Sequence, residues 1–255
     1  MSAPGFDADI ALAAELATGA GELLVRLRRE SGLSGRELGD AGDQQSNDWL
    51  LAQLAARRPD DAVLSEESAD DRTRLQASRV WIVDPVDGTR EYGMEDHADW
   101  AVHVALWTAE EGLVVGAVSL PALEVTYDSG SGAVAPTVGL MSTPRGDTPR
   151  VVISGSRPPT FSDDVATAIG GVAVPLGSAG AKAMAVVRGE ADAYVHAGGQ
   201  YEWDSAAPVA VAQAAGLWCS RIDGSPLVYN QSDVYLPDLV ICRPELAQTV
   251  LGVLA

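Results

Sequence analysis

The run Val-Trp-Ile-Val-Asp-Pro-Val-Asp-Gly-Thr-Arg at residues 80–90 constrains this chain more than any other stretch, because an apolar segment breaks off in two acids, a glycine and a hydroxyl. Residues 80–83 have the β-branched and aromatic content of a short buried strand. Pro85 cannot donate a ladder hydrogen bond, so the strand is predicted to stop near Asp84. Two carboxylates then leave the sheet edge together. Across a proline-fixed turn, Asp84, Asp87 and the Val86 carbonyl can point into one small volume, an all-oxygen donor set that suits Mg²⁺ or Mn²⁺ rather than zinc. Without a cation such crowded acids raise one another's pKa. Gly88 lets backbone approach a ligand, and a helix opening at Gly88 and Thr89 would turn free N–H groups to the same spot, where they can hold a phosphate. Metal and phosphate would share one pocket, as phosphate-ester hydrolysis requires. The plainer alternative is an Asp-Pro strand end followed by a solvated Asp-Gly turn.

At 255 residues the chain can bury one large core or two moderate ones. Its 36 acidic against 17 basic residues give a formal charge of −19, which argues against a nucleic acid polymer or an anionic membrane surface as partner. A small anionic substrate stays compatible where metals reverse the sign locally. Cys219 and Cys242 sit in apolar, strand-like runs, as buried reduced thiols do, and fit a cytoplasmic location. No apolar run approaches the length of a membrane span, and residues 1–9 lack the basic start and apolar core of a signal peptide.

From Asp9, residues Ile10, Ala13, Leu16, Ala20, Leu23 and Leu27 recur at helical spacing, with Arg26, Arg28 and Arg29 near the far end and Gly32 as terminator. Residues 32–42 read as a Gly- and Asp-rich loop. A second helix is predicted from Asp43, as its N-cap, through Trp49, Leu50 and Leu54 to Arg58. Residues 62–64 form a further short strand, and Glu66 leaves its end as Asp84 leaves the next. Adjacent strands would put Glu66 beside Asp84 and Asp87, although a solvated acidic turn explains Glu67 equally well. Residues 100–107, 113–120 and 123–127 read as an antiparallel meander. Residues 129–150, rich in Gly, Ser, Thr and Pro, mark a boundary between two lobes, 1–145 and 146–255. Beyond it, short apolar runs at 151–153, 172–176, 193–195, 217–222 and 239–242 are separated by helical stretches at 163–169, 179–188 and 203–215. This is the rhythm of an α/β lobe, with ligands expected where strand ends meet helix starts, as at Gly177-Ser178-Ala179-Gly180 and Glu202-Trp203-Asp204-Ser205.

Four separated signatures, Glu66-Glu67, Asp84-Pro85-Val86-Asp87-Gly88-Thr89, Gly177-Ser178-Ala179 and Trp203-Asp204-Ser205-Ala206-Ala207, occur in an order that resembles the lithium-sensitive, Mg²⁺-dependent inositol monophosphatase superfamily over nearly the whole chain. Ser65-Glu66-Glu67, residues 182–196 and Asp223-Gly224-Ser225-Pro226-Leu227-Val228-Tyr229-Asn230 look most like its CysQ-type branch of 3′(2′),5′-bisphosphate nucleotidases. Residues 177–183 and 198–204 look like the actinobacterial members. The resemblance implies a layered αβαβα sugar-phosphatase fold of α+β and α/β character. Its N-terminal lobe would have an antiparallel sheet, two long helices and most metal ligands, and its C-terminal α/β lobe would carry Asp204 and the substrate wall. It also implies hydrolysis of 3′-phosphoadenosine 5′-phosphate to AMP and phosphate, a step of sulfur assimilation. A broader inositol 1-phosphate or fructose 1,6-bisphosphate phosphatase is the alternative. A catalytically silent binding protein is the third reading, and the presence of Glu66, Thr89 and Asp204 together counts against it.

By the same resemblance, Glu66, Asp84 and the Val86 carbonyl hold a first metal ion, Asp84, Asp87 and Asp204 a second, and Glu66 helps hold a weaker third through water. The phosphate rests on the Gly88 and Thr89 N–H groups beside Asp87 and Arg90. Asp43 and Thr89 bind and deprotonate the attacking water, with Glu66 counted among the catalytic residues. Gly177, Ser178, Ala179, Lys182, His196 and Asp204 face the rest of the substrate, and homodimers are usual for such proteins. Two departures stand out. Gly42 precedes Asp43 where the family has Thr or Ser, and Glu37-Leu38-Gly39-Asp40 replaces a lysine-containing lead-in. His196 stands where inositol-specific members carry a sugar-binding Glu, which counts against inositol phosphate. Lys182, Arg157 and Arg221 are the basic residues for a remote 5′-phosphate, and the sequence leaves the choice open.

Overall fold

The computed structural model describes residues 5–130 and 147–254. Helices α1, Asp7–Glu30, and α2, Gly35–Arg57, are followed by strands β1, Ala62–Ser65, and β2, Arg79–Asp87, and by the one-turn helix α3, Thr89–Tyr92. Strands β3, Ala101–Thr108, β4, Gly112–Leu120, and β5, Val125–Asp128, complete a five-stranded sheet in the order β1-β2-β3-β4-β5. Only β1 and β2 run parallel in it; the rest is the antiparallel meander expected from the sequence. The second sheet uses β6, Arg150–Ser154, β7, Val172–Leu176, β8, Ala193–Ala197, β9, Trp218–Ser220, and β10, Asp238–Cys242, in the order β7-β6-β8-β10-β9. Between these strands lie α4, Ser162–Ala168, α5, Ala179–Val187, and α6, Glu202–Ala214, and α7, Ala247–Leu254, follows the last strand. The expected lobe boundary at residues 145 and 146 falls outside the described residues. Cys219 and Cys242 are free thiols.

Three apolar clusters stack these elements into αβαβα layers. Leu16, Leu24, Leu50 and Leu54 of the first two helices bury against Trp81, Val83 and Leu106 on one face of the first sheet. Val80 and Ile82, alternating with Trp81 and Val83 along β2, face the opposite way and pack with Met184, Ala207 and Val209 of α5 and α6, which also cover Tyr194 and Leu239 of the second sheet. Val151, Val195 and Val240 on the far face of that sheet meet Val165 of α4 and Val250 of α7.

Two expectations are corrected. Strand β2 does not stop at Asp84 but continues through Pro85 to Asp87. The ladder steps from Asp84 opposite His103 to Asp87 opposite Ala101, so Pro85 and Val86 together stand against Val102. Proline's missing donor falls in this β-bulge, where the ladder is interrupted anyway. The bulge also fixes parity: Asp84 and Asp87 share a register with His103 and Ala101, two residues apart on one face of β3. Unbulged, residues three apart would point to opposite faces.

The second correction concerns α2, which begins at Gly35, so that Asp43 lies inside the helix and is not its N-cap. The glycines taken for a loop are there for close approach. A Cβ on Gly39 would lie 2.8 Å from Thr89 Cγ2, and one on Gly42 would lie 2.5 Å from Tyr92 Cε1. Their spacing puts both on the face toward α3, and tertiary packing overrides their poor helix propensity.

Layer spacing is tight where β4 meets α6. A Cβ on Gly116 would lie 2.6 Å from both the Ala207 carbonyl oxygen and Ala210 Cβ, whereas one on Gly252 in α7 meets nothing within 4 Å. Gly116→Ala should therefore lower stability by about 1–3 kcal/mol, and Gly252→Ala should be neutral or stabilising by up to about 1 kcal/mol. Urea unfolding of the two variants checks the contrast.

Candidate active site

The clustered acids are delivered by three elements. Asp84 and Asp87 come from β2, Glu66 follows β1, and Asp204 lies in the first turn of α6, where Oδ2 accepts from the Tyr201 N–H at 2.7 Å. Carboxylate oxygens of Asp84, Asp87 and Asp204 lie within 4.8 Å of one another. Helix α2 is pinned to this corner from behind. The Ser46 hydroxyl donates to the Pro85 carbonyl at 2.9 Å, and Asn47 accepts from Ser65 Oγ at 2.7 Å. One turn earlier on the helix, Asp43 Oδ1 stands 3.2 Å from Thr89 Oγ1, which also lies 3.1 Å from the Val86 carbonyl oxygen.

Crowding and burial shape the charge of this cluster. Asp84 is pushed well above the usual carboxylate range, first by burial and then by Glu66, Asp87 and Asp204. Glu66 moves up through loss of solvent and the charge of Asp204. Asp204 rises to about 6, from burial and then Asp87. Asp43 rises to about 7, from burial and the charge of Glu67, with Thr89 opposing. Asp87 goes the other way. Burial disfavours its charge, but the His103 ring, Lys182 and the Gly180 N–H outweigh it and hold its carboxyl low.

The donors to Asp87 come from the opposite layer. At the start of α5 the Ala179 and Gly180 N–H groups donate to its two oxygens at 3.1 and 2.6 Å, a helix N-terminus meeting an anion. Beside them, Asp99 Oδ2 accepts from the Gly177 N–H at 2.6 Å and its carbonyl from the Ser178 N–H at 3.0 Å. Gly88, in the left-handed region at φ 87, leaves no room for a side chain, since a Cβ would lie 2.9 Å from Ser178 Cβ.

These residues open on a cleft of about 290 Å³ lined by Asp87, Gly88, Thr89, Lys182, His196 and Asp204 among others. Arg90 lies at the exposed rim, its Nε 3.3 Å from a Glu91 carboxylate oxygen. Lys182 is buried, donating to the Gly177 and Ser178 carbonyls beneath the cleft floor, and burial brings its ammonium down to about 8. His196 Nε2 donates to the Gly198 carbonyl at 2.7 Å, and burial lowers the ring to about 4, so it is neutral. A larger hollow of about 520 Å³ between α1 and β5 shares no residue with this cleft.

Every site residue expected from the sequence therefore lies in or beside one corner. Sequence reasoning missed His103, which is fully buried with Nε2 3.1 Å from Asp87 Oδ2 and Nδ1 donating to the Trp203 carbonyl at 3.1 Å. It thus touches Asp87 directly and Asp204 through the preceding peptide. Its alternation with Ala101 on β3 was the available signal. Gln200, buried in the cleft wall and bonded through Nε2 to the Tyr194 hydroxyl at 2.9 Å, was also missed.

Comparison with known proteins agrees with the geometry. The profile of the Inositol monophosphatase family matches residues 7–252. A 3′-phosphoadenosine 5′-phosphate phosphatase of Mycobacterium leprae is 52% identical over 256 residues, covering 96% of this chain and 93% of that protein. A 3′(2′),5′-bisphosphate nucleotidase CysQ of Escherichia coli K12 is 30% identical, covering 77% of this chain and 81% of its own. The crystal structure of CysQ from Bacteroides thetaiotaomicron, a bacterial member of the inositol monophosphatase family, superposes with a TM-score of 0.77 at 26% identity, covering 94% of this chain and 98% of that one.

Unfolded carboxylates titrate near 4, whereas Asp204 and Asp43 titrate at about 6 and about 7 in the folded chain. Through that window the native state holds more protons than the unfolded state, so stability falls as pH rises. In EDTA the melting temperature should be higher at about pH 5.5 than at about pH 8, and Asp204→Asn should flatten the slope. A melting temperature that rises across this range would contradict the charge assignment.

Proposed function

Because the chain belongs to the inositol monophosphatase family, we propose that it is a Mg²⁺-dependent phosphatase that hydrolyses 3′-phosphoadenosine 5′-phosphate to AMP and phosphate, the substrate for which its mycobacterial relative is named. The observation that carries this reading is the convergence of Asp84, Asp87 and Asp204 beside the Thr89–Asp43 pair.

The donor set fits divalent magnesium or manganese. Every ligand is a hard oxygen, and Asp84 and Asp204 resist ionisation until a cation joins them. In this reading Glu66, Asp84 and the Val86 carbonyl hold one ion, Asp84, Asp87 and Asp204 hold a second, and Glu66 helps hold a weaker third through water. When bound, the ions neutralise the phosphate charge and acidify the attacking water.

The chain's own groups do the rest. The first N–H groups of the turn at Gly88 and Thr89 bind the phosphate oxygens, since the opening turn of a helix leaves them free. Thr89 Oγ1 orients the water and relays a proton toward Asp43, whose raised pKa makes it the stronger base. No covalent phosphoenzyme is needed. Ala179, Lys182, His196 and Asp204 face the nucleoside. The reading extends to a cytoplasmic homodimer, the form usual for such proteins. Among the described residues no helix is long and apolar enough to cross a membrane.

Phosphate release from 3′-phosphoadenosine 5′-phosphate, inositol 1-phosphate and fructose 1,6-bisphosphate tests this. A preference for the nucleotide of about a hundredfold in kcat/KM is expected, abolished by EDTA or Asp87→Asn and inhibited by lithium; comparable rates on all three would refute it. Thr89→Ala should lower kcat by about 10²- to 10⁴-fold with folding intact. Asp43→Asn should remove an acid limb near pH 7 from the kcat/KM profile.

A further inference from the structure

The sequence left three cations for a phosphate remote from the reacting one, and their partners separate them. Arg221 is committed elsewhere: its Nε and Nη2 donate to the two oxygens of Asp238 at 2.7 and 2.5 Å, and it is absent from the cleft lining. Lys182 lines the cleft, but its ammonium is spent on the Gly177 and Ser178 carbonyls and sits 5.3 Å above the Tyr194 ring, only 3% exposed. A third cleft cation, Arg90, adjoins Thr89 and pairs with Glu91.

Arg157 differs from all of these. It is exposed and lines the cleft with Ser154 and Ser156, just past the end of β6. Its backbone N–H is tied to Ser154 Oγ at 3.1 Å, which fixes the root of the side chain. Its guanidinium lies across the backbone of Gly199, whose φ of +69 suits glycine; a Cβ there would come within 2.5 Å of Nη1. Among the described residues the guanidinium has no acceptor partner, although the chain carries 36 acids to 17 bases. Next to it His196 is neutral, Lys182 is taken up by carbonyls and Arg90 pairs with Glu91, so among the described residues Arg157 is the cation left unpaired on the cleft lining. A guanidinium held by its root, with its planar fork open to a cleft, is built for bidentate contact with a phosphate.

We propose that Arg157 binds the second, non-reacting phosphate of the substrate and thereby selects bisphosphorylated nucleosides over monophosphates, a role that rests on the nucleotidase reading above. The test compares kcat/KM for 3′-phosphoadenosine 5′-phosphate and for adenosine 3′-monophosphate, which keeps the reacting phosphate and lacks the remote one, with saturating Mg²⁺. The wild type should favour the bisphosphate. Arg157→Gln should shrink that ratio by about 10- to 100-fold, as loss of a charged hydrogen-bonding pair does, chiefly through KM of the bisphosphate, and Arg157→Lys should restore part of it. An unchanged melting temperature is expected, because the side chain holds no partner within the protein. An Arg157→Gln variant that keeps the wild-type ratio overturns the assignment while the nucleotidase stands. A wild type that treats both nucleotides alike overturns the nucleotidase reading and the subsite with it.

Discussion

Like charges held close together in a water-poor corner set the terms for the rest of this molecule. At about 4 Å two carboxylates repel by roughly 4 kcal/mol at the effective dielectric of protein sites, and a domain has only about 5–15 kcal/mol of net stability to set against such terms. Three oxygens within 4.8 Å, with Glu66 adjoining, cannot all be ionised without compensation. The chain offsets the repulsion in two ways. Asp87 keeps its charge because two N–H groups of α5 and the His103 ring face it, while Asp84, Glu66 and Asp204 hold their protons to higher pH. A divalent cation is the remaining compensation, and it is also what the chemistry requires.

That requirement explains the layers. No single element can supply the cluster, so a parallel strand pair delivers Glu66 next to Asp84, a bulge turns Asp87 to the same face, and α6 brings Asp204 from the central helical layer. The layer between the sheets therefore serves two purposes. Its side chains fill the middle core, and its helix starts at Ala179 and Glu202 present N–H groups and a carboxylate to the acids of the first sheet. Gly116 allows the close approach of α6 that this needs.

Much of the site was legible because its residues are contiguous in sequence. Asp84, Asp87, Gly88 and Thr89 sit on one strand end and one turn, so spacing alone placed them together. Longer-range features were read less well, each for a physical reason. Pro85 signalled a strand end, but a bulge can absorb a missing donor. Gly39 and Gly42 signalled a loop, yet each lies where a side chain would strike Thr89 or Tyr92. His103 stands among apolar residues of β3, and its alternation with Ala101 gives its face of the strand but not that Asp87 lies against it. The three basic residues could not be ranked, because the acids and carbonyls that occupy Arg221 and Lys182 are known only from the folded chain.

The most direct test is a crystal structure of the protein grown with Mn²⁺ and inorganic phosphate, using anomalous scattering to locate the metal. Manganese peaks are expected between Glu66 and Asp84 and among Asp84, Asp87 and Asp204, with phosphate against the Gly88 and Thr89 N–H groups. A fully substituted crystal with manganese bound only elsewhere on this acidic chain would contradict the central claim that these carboxylates are gathered to hold metal.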